Sequence, residues 1–135
     1  MTLSSEAEQN LIHSASAARD NAYAPYSKFH VGAAILTDNG DVFVGCNVEN
    51  ASYGMTICAE RVAATSAVAA GQQQFVAVAL SLPGGQTPCG ACRQFLAEFQ
   101  PDLPVLIHDA DSGRVSKTTL TKLLPAQFEF DGPTD

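Results

Sequence analysis

The stretch FVAVALSL, residues 75–82, is a near-continuous apolar run. Such a run marks a strand covered on both faces, and that requires a layer of helix on each side of the sheet. The flanking sequence supplies those layers. From Ser4 to about Asn21 the apolar positions Ala7, Leu11, Ile12, Ala15 and Ala18 recur at helical spacing, with Ser4 or Ser5 as the N-cap. YAPYSKF ends that pattern, since Pro25 disfavours helix in the residue before it. Cys58 to Ala70 reads as an Ala-rich helix stopped by Gly71. PCGACRQFLAEF opens another, with Pro88 just before its first turn. FHVGAAIL and VFVGCNV read as strands joined through TDNGD, whose Asn39-Gly40 pair marks a hairpin. PVLIHD is a further buried strand, RVSKTTL a weak edge strand, and TLTKLLP a last helical turn or two. The predicted architecture is a three-layer α/β/α domain built on a mixed, roughly five-stranded sheet. It spans residues 1–135 as one domain, with 128–135 a loose tail.

A chain of 135 residues buries a core without disulfide staples. Its hydrophobic fraction of 46% and charged fraction of 16% fit a compact fold rather than disorder. No apolar run approaches the roughly 18 residues of a membrane span, so no membrane partner is expected. MTLSSEAEQN lacks the basic and apolar regions of a signal peptide. A cytoplasmic location is therefore expected, where thiols stay reduced and cysteine pairs read as metal or redox sites. The net charge of −7, with only seven Lys and Arg in total, argues against long nucleic acid and for a small substrate.

Cys89 and Cys92 lie three positions apart, so on a first helical turn both thiols face one way. Unpaired backbone N–H groups and the helix dipole stabilise thiolates there. Alone, the pair fits a redox dithiol, a metal site or two packed thiols. Cys58 shifts the balance, because it also begins a predicted helix. Two helix N-termini can aim three thiolates at one point, and three thiolates suit zinc. A structural zinc site closes with a fourth ligand, whereas a catalytic one keeps a position for water. The fourth cysteine, Cys46, sits inside an apolar strand and reads as a buried small hydrophobe. Glu60, two positions after Cys58 at the extreme helix start, reaches a metal beyond the helix end. A carboxylate there takes and passes on a water proton; otherwise it is an acidic residue favoured by the helix dipole. Ligand-x-Glu followed by Pro-Cys-x-x-Cys is the pattern of the zinc deaminases, and here it reads CAE and PCGAC.

FHVGAAIL, GCNVENASYG, TICAERVAA and PCGACRQ, in that order, resemble the successive blocks of the short homotetrameric cytidine deaminases. The resemblance runs from about Tyr26 to Gln94, with a fainter match at LLP..F near the C-terminus. It implies the cytidine deaminase-like fold, one Zn²⁺ per subunit on Cys58, Cys89 and Cys92, and Glu60 as the catalytic proton carrier. It also implies that Asn47 and Glu49 bind the ribose hydroxyl and that Phe29 packs on the pyrimidine. Tyr53 and Phe128 match aromatic positions that reach a neighbouring subunit's site, though LLPAQFEF also offers Phe130. By the same likeness Arg61 drains charge from the thiolates, a role guanidinium donors suit. Arg93 and Gln94 receive supporting roles, and His30 a structural one.

The implied activity is hydrolytic deamination of cytidine and deoxycytidine to uridine and deoxyuridine in pyrimidine salvage, by a homotetramer with shared sites. A ribose hydroxyl common to both sugars would not discriminate between them. The alternatives are a related deaminase of another base or nucleoside-like antibiotic, and a non-catalytic zinc module closed by Cys46. A redox protein is a weaker third, since it leaves Cys58, Glu60 and Arg61 without a joint explanation.

Overall fold

The structure, a computed structural model, describes residues 3–130. Helix α1 spans Ser5–Ala18, capped by the Ser4 hydroxyl, which accepts from Ala7 N at 3.1 Å. A single 3₁₀ turn, Arg19–Asn21, carries the chain on, so the expected helix is α-helical only as far as Ala18. Strands β1 (Gly32–Thr37) and β2 (Val42–Cys46) follow. Their turn is closed by Gly40 N donating to Thr37 O at 3.0 Å, with Gly40 at φ +91. Thr37 N then bonds Asp41 O, the longer hairpin connection that places glycine at its left-handed position. Next come α2 (Ala59–Ala69), β3 (Phe75–Leu82), α3 (Gly90–Ala97), β4 (Pro104–Asp109), β5 (Val115–Thr119) and the short α4 (Leu120–Leu123). Gly71 at φ +88 ends α2 as expected.

The five strands form one sheet in the order β2-β1-β3-β4-β5. Only β3 and β4 run parallel, and the other neighbours are antiparallel. The central β3 is buried at every position but Val76, as its apolar run requires. One face packs on α1 through Leu11, Ala15, Ala34, Ala77, Ala79 and Leu106. The opposite face packs on α2 and α3, with Ile35, Val78, Leu80, Leu96 and Val105 at its centre. This is the three-layer α/β/α arrangement. Of the tail expected at 128–135, residues 131–135 lie outside the described residues; residues 127–130 are in neither helix nor strand.

The register decides where a site forms. One row of the sheet runs Cys46, Gly32, Ser81, His108, Val115. Just beyond that row lie the segment entering β1, the segment leaving β2 and the segment leaving β3. Two glycines press helices onto this end. A Cβ on Gly32 would stand 2.0 Å from Ala15 O of α1. A Cβ on Gly45 would stand 2.4 Å from Ala63 N and 2.5 Å from Ala59 O, both of α2. The start of α2 therefore rests directly on the β2 backbone. Gly45→Ala should cost roughly 2–3 kcal/mol through overpacking, measured by urea unfolding. Gly54→Ala, where an added Cβ meets nothing within 4 Å, should stay within about 0.5 kcal/mol of the parent.

Candidate active site

Cys58 and Cys89 are the N-caps of α2 and α3, both in extended backbone conformation. An N-cap side chain leans over the third residue of its own helix, and for α3 that residue is Cys92. Cys89 Sγ accordingly lies 3.4 Å from Cys92 Sγ and 3.8 Å from Cys58 Sγ. All three sulfurs fall within 4.8 Å of one another, the one such group of metal-capable side chains among the described residues. A tetrahedral zinc with bonds of ~2.3 Å spaces its sulfurs ~3.8 Å apart, so the donor set fits the ion. The neighbouring Cys92 thiol, helped by Arg61 against the effect of burial, brings the Cys58 thiol down to about 5. The Cys58 thiol beside it, together with burial, pushes Cys92 up. A thiolate already favoured at Cys58 is a ready metal ligand.

Arg61 sits one turn into α2 and places Nη2 3.7 Å from Cys58 Sγ. Its Nε is buried and without a hydrogen-bond partner among the described residues. Glu60 is 5% exposed, and burial pushes its carboxyl up to about 7. Cys46 is half-buried rather than fully buried and stands outside the sulfur group. Among the described residues no fourth ligand of a closed zinc module joins the cluster, and Cys58 and Cys89 border an open cavity.

That cavity, about 230 Å³, is lined by Phe29, Asn47, Thr56, Cys58, Glu60 and Cys89, with Gln86 and Thr87 on the far wall. An adjoining cavity of about 390 Å³ holds Tyr26, Ser27, Glu49, Asn50 and Tyr53, and Thr56 borders both. The two residues expected at the ribose are thus divided between two spaces that share Thr56. Asn47 is 8% exposed; its Oδ1 accepts from Val31 N at 2.9 Å and its Nδ2 donates to Phe29 O at 2.7 Å. Glu49 Oε1 accepts from Tyr26 N at 3.0 Å and Ser27 N at 3.1 Å, and Oε2 accepts from the Ser27 hydroxyl. The Ser27 hydroxyl, first among several donors, holds the Glu49 carboxyl below the usual range.

Tyr53 is 77% exposed and meets Tyr26 edge-on at 6.2 Å. Phe128 is 74% exposed; with Phe130 it lines a separate cavity against Gln94, Ala97 and Glu98. Neither Tyr53 nor Phe128 lines this chain's thiol cavity. His30 is half-buried and accepts from Arg19 Nε through its backbone oxygen at 2.8 Å. It lies outside any strand, because β1 begins only at Gly32.

Ser27, Thr56, Gln86 and Thr87 also line these cavities, and as small polar loop residues they carry no periodic signal in the sequence. Arg93 does more than its expected supporting part. Its Nε donates to Pro88 O at 2.7 Å, its Nη2 to Thr87 Oγ1 at 2.9 Å, and its Nη1 to Leu123 O at 2.7 Å. Those bonds tie the loop that carries Cys89 to the end of α4.

A three-layer fold that gathers three thiols at one point, two of them and a buried carboxyl lining one open cavity, has the form of a metal-dependent α/β enzyme. The family described as the cytidine and deoxycytidylate deaminase zinc-binding region matches residues 5–107. The chain belongs to that family. It is 46% identical over 123 residues to a cytidine deaminase of Sporosarcina psychrophila, covering 89% of this chain and 90% of the relative. A crystal structure of a cytidine deaminase from Burkholderia pseudomallei superposes with a TM-score of 0.85 at 50% identity, covering 89% of this chain and 98% of that one. A blasticidin-S deaminase of Bacillus cereus is 36% identical over 112 residues, covering 76% of this chain and 79% of the relative.

Zinc content separates ligands from bystanders. Cys46→Ser should retain about one zinc per chain, as read by metal analysis after gel filtration, whereas Cys92→Ser should lose most of it.

Proposed function

We propose that the protein hydrolyses cytidine and deoxycytidine to uridine and deoxyuridine with release of ammonia. The observation that carries this reading is the buried Glu60 carboxyl sharing one cavity with the sulfur cluster. Cys58, Cys89 and Cys92 would hold the zinc ion, which when bound supplies Lewis-acid activation of water near neutral pH. A Glu60 carboxyl poised near 7 is suited both to accept a proton and to give one. Glu60 takes the proton of the attacking water and delivers it to the ring nitrogen beside the amino-bearing carbon. The carbon becomes tetrahedral, Glu60 carries the second proton to the amino group, and ammonia leaves. Phe29, 38% exposed on the cavity wall, offers its ring face to the pyrimidine. Asn47 and Glu49 receive the sugar, and the Glu49 carboxylate disfavours a nearby phosphate, so a nucleoside is preferred to a nucleotide. Arg61 withdraws charge from Cys58. The likeness to a blasticidin-S deaminase keeps one alternative in view, a base-bearing antibiotic. The sugar-facing Asn47 and Glu49 favour cytidine.

Among the described residues, no helix is long and apolar enough to cross a membrane. With the net charge of −7, this supports a cytoplasmic role in nucleoside salvage. Exposed Tyr53, Met55 and Phe128 are apolar surface of the kind that partners cover. They support a homotetramer in which Tyr53 and Phe128 approach a neighbour's site.

The ultraviolet spectrum of cytidine incubated with the zinc-loaded protein should shift to that of uridine, with one ammonia released per uridine. Glu60→Gln should keep its zinc and lose about 10²–10⁴-fold in kcat; near-normal turnover would remove Glu60 from its role. Sedimentation equilibrium should return four chains per particle. Phe128→Ala should raise KM more than Phe130→Ala does, and the reverse order would make Phe130 the residue that reaches across.

A further inference from the structure

The segment between α1 and β1 is held by the two side chains assigned to the sugar. Glu49 binds Tyr26 N, Ser27 N and the Ser27 hydroxyl, while Asn47 binds Phe29 O and Val31 N. The Ser27 hydroxyl is committed twice over. It donates to Glu49 Oε2 and accepts from Phe29 N at 3.0 Å. A carboxylate offers about four acceptor positions. Three are taken by these donors, which leaves one on Oε2, and its direction is set by where the Ser27 O–H points. Between Ser27 and Phe29 stands Lys28 at φ +61, the one non-glycine residue with positive φ among the described residues. A left-handed lysine is held only where its surroundings over-determine it. Here Lys28 N bonds Ala24 O at 3.0 Å, and the bonds of Ser27 and Phe29 pin either side. The turn at Lys28 sends Phe29 into the thiol cavity and leaves Ser27 in the adjoining one with Glu49.

We propose that Ser27 is a positioning residue for nucleoside recognition. Its hydroxyl couples the aromatic Phe29 to the Glu49 carboxylate and aims that carboxylate's last acceptor position at the sugar, and the left-handed Lys28 is the turn that makes the coupling fit. The proposal rests on the cytidine reading above. It makes Ser27 a determinant of sugar affinity without contact to the reacting carbon.

Two measurements on the zinc-loaded protein test it. In steady-state kinetics with cytidine, Ser27→Ala should raise KM roughly tenfold, the order expected when a hydrogen bond to a charged group is lost, while kcat stays within about twofold. In a Glu49→Ala background the same change should leave KM where Glu49→Ala alone puts it. With Glu49 present, Ser27→Thr should keep most of the affinity that Ser27→Ala loses. Lys28→Val, which resists the left-handed turn, should raise KM as Ser27→Ala does, and Lys28→Gly should not. A KM effect of Ser27→Ala that persists undiminished without Glu49, or a loss confined to kcat, overturns the proposal. The second measurement needs no substrate. Carbon-detected NMR titration of Glu49 should show its carboxyl rising toward the ordinary range in Ser27→Ala. An unmoved Glu49 overturns the proposal whatever the kinetics show. A wild-type protein that leaves cytidine unchanged, alongside a shifted Glu49, overturns the proposed nucleoside role and sinks the cytidine reading, while the Ser27–Glu49 bond itself stands.

Discussion

The close seating of α2 on β2 is the contact from which the site is built. At Gly45 the strand has no side chain, and the backbone of Ala59 and Ala63 occupies the space that one would need. That contact fixes the height of the first turn of α2 above the sheet, and with it the N-cap Cys58 and the buried Glu60 that follows. Gly32 does the same for α1 on the opposite face. With both helices clamped at the same end of the sheet, the ends of β1, β2 and β3 become the floor of a cavity with a defined position relative to the sulfurs.

Electrostatics at that position are held in tension. Cys89 lies 3.4 and 3.8 Å from the other two thiols, and all three fall within 4.8 Å, an arrangement that is unfavourable for three thiolates without a cation. Arg61 adds one positive charge from the α2 side, and the dipoles of two helix starts add partial charge from behind. Glu60 is buried beside the same cluster, so its proton is held more tightly than a solvated carboxylate would hold it. The ligands favour a divalent ion, and the neighbouring acid is kept from being permanently charged. Arg93 contributes mechanically: its three bonds to Thr87, Pro88 and Leu123 stop the Cys89 loop from swinging away from α2.

The loop opposite the sulfurs is built on a different principle. Asn47 and Glu49 each make two hydrogen bonds to the backbone of residues 26–31, so polar side chains bordering the cavities are also what order the aromatic wall. Preorganisation of this sort lowers the entropic cost of binding. Little of it is visible in a linear pattern. It depends on side chains about 20 residues away meeting backbone groups, and on a lysine taking a conformation its residue type disfavours.

Much of the fold and the metal centre was legible in the chain alone. FVAVALSL could be satisfied only by a central, doubly covered strand. PVLIHD fell on β4 as expected, and two cysteines heading two helices announced the sulfur cluster, because periodicity and capping are local properties of consecutive residues. Local reading went astray where tertiary contacts override it. FHVGAAIL enters the sheet only at Gly32, since Phe29 and Val31 are drawn into the Asn47 clamp; Cys46 is half-buried because β2 is an edge strand. The sequence by itself determined which chemical groups the protein could bring to bear: three thiols, a carboxyl at a helix start, a guanidinium one residue beyond. Only the tertiary structure decided that they converge, with Cys58, Cys89 and Glu60 lining one cavity that has Phe29 and Asn47 on its wall. That convergence depends on strand register and on the depth to which helices sink onto glycines, and both are set by packing between segments far apart in the chain.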